Sequence, residues 1–461
     1  MSIKVWSVLP VLLLSACAQT VDYQRPELPV PTAWPSGSAA PDQSSAAAVQ
    51  PHWSTYFVDP RLHVLIEAAL KNNRDLRIAA SRVMEARAQF RAAGAERFPG
   101  INLLGSGSVG ITPADLSGTG TVINGERYDL ALTTVSYEMD FWGRLSSLTE
   151  AARNTYLATE TAQRAFQLSL ISDVATTYFK LLQFDEMLRL AQENETSRQN
   201  SLALVGKGRE LGGADYSEYL QAQSALEGVR SELAGLEQQR ASTVNQLNFL
   251  VGAVLTDLPP GLDLDHQGLD TTLAPGLPAD VLLARPDVVA AEQRLIAAQA
   301  NIQAARAAFF PKIALTASVG VASIGLGTLF SGSAWSYQPS IGLPLFDGGR
   351  LEASRDLADA RKVTAVAEYE KTIQQAFREV ADLLSARTAL AHQMRSARVN
   401  QEAQARRLDI ANARYQVGLG NYLEVLDGER GLVSAQQSTL QLRRAQLDTA
   451  AQLYKALGGG A

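Results

Sequence analysis

The residue types that carry covalent, redox or metal chemistry are sparse in this chain. Its histidines are His52, His63, His266 and His392, and its one cysteine is Cys17. The histidines lack the spacing of metal ligands, and neither a nucleophile elbow nor an HExxH pattern occurs. The run from Gly105 to Gly110 has the glycine spacing of a dinucleotide-binding loop, but it lies inside a strand-like stretch and not between a strand and a helix. The sequence therefore predicts no enzyme, no metal site and no cofactor.

Cys17 is placed for acylation. Lys4 precedes an apolar run from Val8 to Leu14, which is typical of a secretory signal and too short to span a bilayer as a helix. The run leads into Leu14-Ser15-Ala16-Cys17, which resembles the lipobox of bacterial lipoproteins. We expect a signal peptide at 1–16 and lipidation of Cys17, with acyl chains such as palmitate as the tether. The alternative is a signal peptide that contains Cys17 and is cleaved near it.

The charge balance argues against nucleic acid as a partner. The chain has 461 residues, 41 of them basic and 47 acidic, so its formal charge is -6. It has no basic stripe of the kind that neutralises phosphates. By length alone it could hold about three ordinary domains, but the alternation of very long elements argues against that division.

An extended segment, residues 17–60, follows the signal peptide. It is rich in proline, alanine and serine and has little periodic apolar content. Its expected anchors to the folded body are the aromatic residues Trp34, Trp53, Tyr56 and Phe57. From Leu62 the apolar spacing predicts one helix to about Arg97, where Phe98-Pro99 stops it.

Four stretches alternate between apolar and polar residues with the period of a β-strand: 101–111, 127–137, 313–323 and 335–345. Pro339 and Pro344 weaken the fourth, since proline cannot donate to a ladder. This length and period also suit a transmembrane β-barrel. Four strands cannot close a barrel, and lipid leaves no water for open strand edges, so identical neighbours would have to complete it. The alternative is a small soluble sheet with one buried face.

The helical patterns are much longer than those of a globular core. We predict long helices at 145–208 and 350–415, each followed by a short turn and a second helix, at 215–250 and 421–457. Another helix, 287–308, precedes the third strand. At 1.5 Å per residue the long helices reach about 95 Å. The second helices carry heptad spacing, as in Leu426, Val433, Leu440 and Leu447, which predicts coiled-coil packing.

The chain contains an internal two-fold sequence repeat. Five pairs of residues stand 206 positions apart: Gly143 and Gly349, Gly212 and Gly418, Tyr216 and Tyr422, Leu220 and Leu426, and Gly252 and Gly458. We assign residues 61–284 to the first repeat, including the connection at its end, and residues 285–461 to the second.

Glycine and arginine mark the change from strand to helix in both repeats. These corner residues are Gly143, Arg144, Gly348, Gly349 and Arg350. The glycines are expected to let the backbone bend. The arginines have two open assignments: contact with lipid headgroups at the membrane boundary, or a salt bridge to a neighbouring residue.

Five stretches together resemble the outer membrane factor family of the TolC and OprM type, in its lipoprotein branch. They are the lipobox, residues 53–73 with Tyr56-Phe57-Val58-Asp59-Pro60, residues 283–292 with Arg285-Pro286-Asp287, Phe310-Pro311-Lys312-Ile313, and residues 343–350 ending in Asp347-Gly348-Gly349-Arg350. The resemblance covers essentially the whole chain. It implies a mixed α and β membrane protein: a homotrimer with four strands per protomer in a twelve-stranded transmembrane β-barrel, continued by a long periplasmic α-helical barrel with an equatorial collar.

The same resemblance implies location and partners. The chain would lie in the outer membrane, anchored in outer membrane lipid through Cys17, and extend into the periplasm. Ala18 and Gln19, where aspartate is absent, look like those of a lipoprotein sent on to that membrane. Its partners would be a periplasmic adaptor (membrane fusion) protein and an inner membrane pump of the resistance-nodulation-division type.

In the family, the turns between paired helices form the periplasmic tip, which docks the adaptor and opens. The docking residues here would be Gly208, Leu211, Gly212, Gly213, Val417, Gly418, Leu419 and Gly420, in six quasi-equivalent tips per trimer. The glycines could instead simply end helices in a left-handed conformation.

Some relatives carry an aspartate just before the asparagine of the second turn, where this chain has Gly420, so a carried-over aspartate gate is in doubt. The candidate gate residues are Asp215, Glu218, Asn421, Tyr422, Glu424 and Asp427. Each acid has an alternative role as a helix-start residue favoured by the macrodipole.

The resemblance implies a passive exit duct of a tripartite efflux pump that carries drugs, antibiotics among them, or other small molecules to the exterior. Two alternatives stay open: an exit duct for protein secretion, and a coiled-coil lipoprotein scaffold without a pore. A lipid-anchored hydrolase has only the lipobox in its favour.

Overall fold

Two compact units make up the described part of the chain. A computed structural model describes residues 23–31, 33–34, 51–213, 215–269 and 278–459. The first unit contains residues 23–27, 82–160 and 290–370, and the second contains the other described residues. The expected signal peptide and its lipidation site, Cys17, lie outside the described residues.

The first unit holds one antiparallel sheet. Its strands, in chain order and in neighbouring order, are β1 (Asn102–Thr112), β2 (Ile123–Met139), β3 (Lys312–Ser323) and β4 (Ser333–Gly342). Successive pairs align one apolar row across all four strands: Leu103, Leu132, Val319 and Trp335. The adjacent row is polar: Asn102, Thr133, Ser318 and Ser336. Because side chains alternate along a strand, these two rows lie on opposite faces of the sheet.

Two strand ends differ from the sequence prediction by three residues or more. β2 begins at Ile123 and not at 127, because β1 continues to Thr112, which pairs with Ile123. β4 ends at Gly342 and not at 345, because Gly342 faces Lys312, the first residue of β3. Pro344 beyond it has no N–H to donate.

The helices are α1 (Trp53–Tyr56), α2 (Pro60–Asn72), α3 (Arg74–Ala95), α4 (Arg144–Glu210), α5 (Tyr216–Val251), α6 (Pro278–Ala284), α7 (Pro286–Ala307), α8 (Arg350–Gln416) and α9 (Tyr422–Ala456). α4 and α8 have 67 residues each. None of these described helices has a stretch that is both long enough and apolar enough to cross a membrane.

The predicted single helix from Leu62 to Arg97 is wrong, because Asn73 interrupts it. Asn73 has an extended ψ of 130° at the end of α2. Its side-chain oxygen accepts from the Leu76 amide at 2.9 Å, and its side-chain nitrogen donates to the Leu250 carbonyl at 2.8 Å. The asparagine therefore caps α3, so α2 and α3 are separate helices.

Aromatic side chains of the extended segment pack into the second unit, as predicted. Tyr56 is buried and stacks on Tyr454 with 4.8 Å between ring centroids. Trp34 stacks on Phe377 at 5.0 Å, and Phe57 is fully buried. The core around them is formed by α2, α4, α5, α8 and α9.

Candidate functional site

The strand-to-helix corners are turns that combine glycine with an aspartate cap. Gly143, Gly348 and Gly349 have φ values of 75°, 67° and 86°, in the left-handed region that favours glycine. Asp140 accepts from the backbone amides of Leu145 and Ser146, and Asp347 from those of Gly349 and Leu351. These contacts agree with a structural role for the corner glycines.

The two corner arginines differ. Arg144 makes two hydrogen bonds of 2.8 Å to Glu138, which also lies 3.0 Å from Lys312. Of its two open assignments, Arg144 therefore takes the salt bridge. The side chain of Arg350 is 74% exposed and lies 4.0 Å from Asp347, which leaves most of its N–H groups available for another partner.

The two helix-pair turns share a pattern of backbone hydrogen bonds among their described residues. We call the turn at 207–216 the first turn and the turn at 413–422 the second turn. In the first, the amides of Gly212 and Gly213 donate to the carbonyls of Arg209 and Gly208. In the second, Gly418 and Leu419 donate to Tyr415 and Arg414, each 206 positions later. Gly212 and Gly418 share a φ of 76°, so both end their helices in the left-handed conformation.

The side chains of the two turns differ despite the shared backbone. Tyr216 is 55% exposed, whereas Tyr422, its counterpart in the repeat, is 3% exposed. Tyr422 packs with Val205, Ala222 and Leu426 in a small core between helix ends. The two turns are therefore alike in their backbone hydrogen bonds and different in the burial of their tyrosines; quasi-equivalent tips in an assembly stay a prediction.

The arginine side chains of the two turns make different contacts. The guanidinium carbon of Arg209 lies 4.7 Å from the Tyr216 ring centroid and 5.4 Å from that of Tyr219. Arg414, in the second turn, lies 3.4 Å from Glu424 and donates to the Leu419 carbonyl at 3.3 Å. Hence the second-turn arginine is paired within the chain, and the first-turn arginine rests on aromatic faces.

The expected docking residues lie at the surface of both turns. The large apolar ones are Leu211, Val417 and Leu419, which are 88%, 68% and 74% exposed. Gly212, Gly213 and Gly418 are exposed, and Gly208 and Gly420 are half-buried. Such exposed apolar side chains are typical of a surface that binds a partner.

The candidate gate residues have several different environments. Asp215 and Asp427 are exposed, while Asn421 caps α9 by accepting from the Glu424 amide at 2.9 Å. Glu218 is half-buried near Tyr415; burial, then the Glu218 carboxylate, then Tyr422 raise the pKa of Tyr415. Tyr422 is buried in the small core between helix ends, and its assignment to a gate stays a prediction.

Sequence reasoning missed the buried charged side chains that join different helices. Arg285 bonds to Asp287, Glu379 and the Ala456 carbonyl, although the sequence indicated only a helix start there. Arg198 is 3% exposed in its side chain and pairs with Glu429. Isolated charged residues on a helix give no sequence signal for such long-range pairs. Among the described residues, no group of histidine, cysteine and acidic side chains is suited to hold a metal ion.

Comparison with known proteins identifies similar chains. The sequence model of the family described as outer membrane efflux protein matches residues 65–253 and 277–459. The solvent efflux pump outer membrane protein SrpC of Pseudomonas putida is 43% identical over 466 residues, covering 100% of this chain and 99% of SrpC. The cation efflux system protein CusC of Escherichia coli is 40% identical, covering 97% of both chains. The open-state MtrE outer membrane channel of Neisseria gonorrhoeae superposes with a TM-score of 0.85 at 34% identity, covering 95% of this chain and 97% of MtrE.

Proposed function

The chain belongs to the outer membrane efflux protein family, and we propose that three copies of it form one continuous duct through the outer membrane and into the periplasm. It is the outer membrane exit duct of an efflux pump and not an enzyme. In the proposed assembly each copy contributes four strands to a twelve-stranded barrel and four long helices to an α-helical barrel, α4, α5, α8 and α9.

The observation that carries this proposal is the two-faced sheet. Its apolar face is exposed: Leu103, Val319 and Trp335 are 69%, 61% and 78% exposed. The opposite face carries polar pairs, such as Ser318 with Ser336 at 2.7 Å and Arg127 with Asp129 at 2.7 Å. An apolar face toward lipid and a polar face toward water is the pattern of a transmembrane barrel strand.

The sheet edges support completion by identical copies. β1 and β4 are the outer strands, and each has a single neighbour within the described residues. Unpaired backbone groups are strongly unfavourable in lipid. Cyclic symmetry joins β1 of one copy to β4 of the next and leaves no free edge.

Aromatic side chains at the strand ends support the membrane position. Trp335 is the third residue of β4. Phe98, Phe141 and Phe346 lie just outside strands at the opposite end of the sheet. These three phenylalanines are 73%, 57% and 93% exposed. Girdles of aromatic residues mark both interfaces of membrane barrels. The acylated Cys17 adds a second attachment to the outer membrane.

The duct supplies the path, and an inner membrane pump of the resistance-nodulation-division type supplies the energy through a periplasmic adaptor. Relatives are named for efflux of solvents, toluene, antibiotics and cations. We propose drugs and other small organic molecules as the cargo of this chain.

Co-expression with candidate adaptor and pump pairs, in a strain that lacks its own efflux duct, tests the proposal. We expect at least one pair to restore resistance to antibiotics or solvents only when this chain is present. Failure of every pair, together with loss of one exported polypeptide on deletion of the chain, would favour protein secretion instead.

A further inference from the structure

We infer that Arg209, held on the rings of Tyr216 and Tyr219, is a preformed receptor for a carboxylate side chain of the periplasmic adaptor. The inference rests on the proposed function, since it names the chemistry by which that partner is recognised at the first turn. The contact joins the last helical turn of α4 to the first helical turn of α5.

The two tyrosines form a platform. Their rings are nearly parallel, with 10° between planes and 6.3 Å between centroids. The Arg209 guanidinium lies within 6 Å of both centroids, at 4.7 and 5.4 Å. Cation–π contact favours this placement without consuming the N–H groups at the edge of the guanidinium. The platform therefore limits the rotamers of Arg209 and lowers the entropy lost when a partner binds.

The N–H donors of Arg209 have no acceptor among the residues that the structure describes. The side chain is exposed, and it makes neither a hydrogen bond nor an ion pair with any residue that the structure describes. Two acids of the same turn, Glu210 and Asp215, are exposed and do not pair with it. A planar guanidinium with free parallel N–H groups matches a carboxylate in a bidentate fork.

The surroundings suit a protein partner. Leu211 is 88% exposed and Tyr216 is 55% exposed, so apolar and aromatic surface lies beside the free donors. Arginine and tyrosine are enriched among the residues that dominate the binding energy of protein interfaces. Lys207 is exposed as well, but Glu210 and Asp215 offset these positive charges. Recognition at this turn is therefore short-range and geometric, and not a matter of net charge.

The second turn provides an internal comparison. Arg414 is occupied by Glu424 and the Leu419 carbonyl, and Tyr422 is buried. The counterpart of Arg209 in the repeat is Tyr415. The carboxylate receptor is therefore specific to the first turn, which gives one such site in each protomer. An adaptor that contacts both turns must bind two different sets of side chains.

The test measures binding of the full-length, detergent-purified chain to the adaptor that restores efflux in the co-expression experiment. Arg209→Ala is expected to weaken binding by about tenfold or more, as for a residue that dominates an interface. Arg209→Lys keeps the charge but not the planar fork, and is expected to recover only part of the loss. Arg407→Ala is the matched control, since Arg407 is exposed on α8 and forms no ion pair among the described residues; we expect it to bind like the wild type.

A charge exchange identifies the partner group. Arg209→Glu is expected to abolish binding, and a lysine in place of one adaptor acid is expected to restore it. Unchanged binding of Arg209→Ala, while the wild type binds and supports efflux, would overturn the inference and leave the proposed function intact. Altered conductance of Arg209→Ala in planar bilayers with unchanged adaptor binding would also overturn it, because Arg209 would then serve contacts between copies. If the wild type binds no adaptor and restores no efflux, the proposed function fails instead.

Discussion

Asp59 shows how one buried carboxylate joins distant parts of the second unit. It is fully buried and accepts from the amides of Arg61, Leu62 and Leu262. It also accepts from the Tyr178 hydroxyl at 2.9 Å and the Gln267 amide nitrogen at 2.8 Å. Burial, followed by the charge of Asp59, raises the pKa of Tyr178, so this hydroxyl stays a donor.

Asp59→Ala is predicted to lower the stability of the fold. Removal of the carboxylate leaves buried donors without an acceptor, at a cost on the order of 3 kcal/mol. The melting temperature of the helical circular dichroism signal measures the effect. Asp257→Ala removes an exposed acid from the connection after α5 and is expected to change stability by less than about 0.5 kcal/mol. Equal melting temperatures for the two variants would contradict the assignment.

Asp448 is predicted to give the protein a defined pH dependence. Burial raises the pKa of this carboxyl to about 6 from an ordinary value of 3.8, although Arg444 and Lys180 oppose the shift. As pH rises from about 4 through 6, the unfolded chain loses its proton first, so wild-type stability falls. Asp448→Asn does not ionise and avoids that loss.

The measurement is thermal unfolding of the wild type and the Asp448→Asn variant at pH 4.5 and 7.5. The stability of the variant relative to wild type is expected to rise between these values by on the order of 2 to 3 kcal/mol. Asp427→Asn, an exposed acid on the same helix, is the control. If the stability of Asp448→Asn relative to the wild type is the same at pH 4.5 and pH 7.5, the pKa of the Asp448 carboxyl is not raised.

Residue type and spacing located the turns but could not predict which of their side chains are exposed and which are buried. Tyr216 and Tyr422 occupy the same place in the repeat, and nothing local distinguishes them. The difference comes from packing, since Val205, Ala222 and Leu426 enclose Tyr422 and leave Tyr216 at the surface. Arg209 was missed for the same reason, because its platform requires residues of two helices.

At the scale of elements, the corner glycines are predicted to be required for the change from strand to helix. Alanine at the positive φ of Gly349 or Gly348 costs about 1–2 kcal/mol each, because Cβ crowds the backbone there. Gly349→Ala should therefore lower the melting temperature, and the double variant with Gly348→Ala and Gly349→Ala should lower it further.

Gly342→Ala provides a control at the end of β4. A Cβ at Gly342 meets open space, and its φ is not positive. We expect this variant to unfold like the wild type. If Gly342→Ala and Gly349→Ala lose equal stability, the corner conformation is not the cause.

The spacing of apolar residues and the positions of glycine and proline were sufficient to place most helices and strands, but not all of their ends. The strand period of two gave the aligned apolar row that includes Leu103 and Val319. The end of β4 depends on where its partner β3 begins, which no local pattern encodes. The break at Asn73 was missed because an asparagine inside an apolar period stops a helix only when its side chain finds partners, here Leu76 and Leu250.

At the scale of the whole molecule, the sequence repeat supports the proposal that three copies form a symmetric duct. α8 begins and ends 206 positions after α4, and the family's sequence model matches the chain twice. The two long helices therefore match in length and the turns after them match in backbone hydrogen bonds, while side chains such as those of Tyr216 and Tyr422 differ in burial. Three copies would present six similar backbone turns with two alternating surfaces.

Ion conductance of the purified full-length protein in planar lipid bilayers tests the central claim most directly. The wild type is compared with a variant in which two candidate gate residues, Asp215 and Asp427, are replaced by serine. We predict discrete conductance steps of uniform size, larger or more frequent in the variant. An absence of steps from both proteins, although each inserts into the bilayer, would contradict the account of the chain as a conduit.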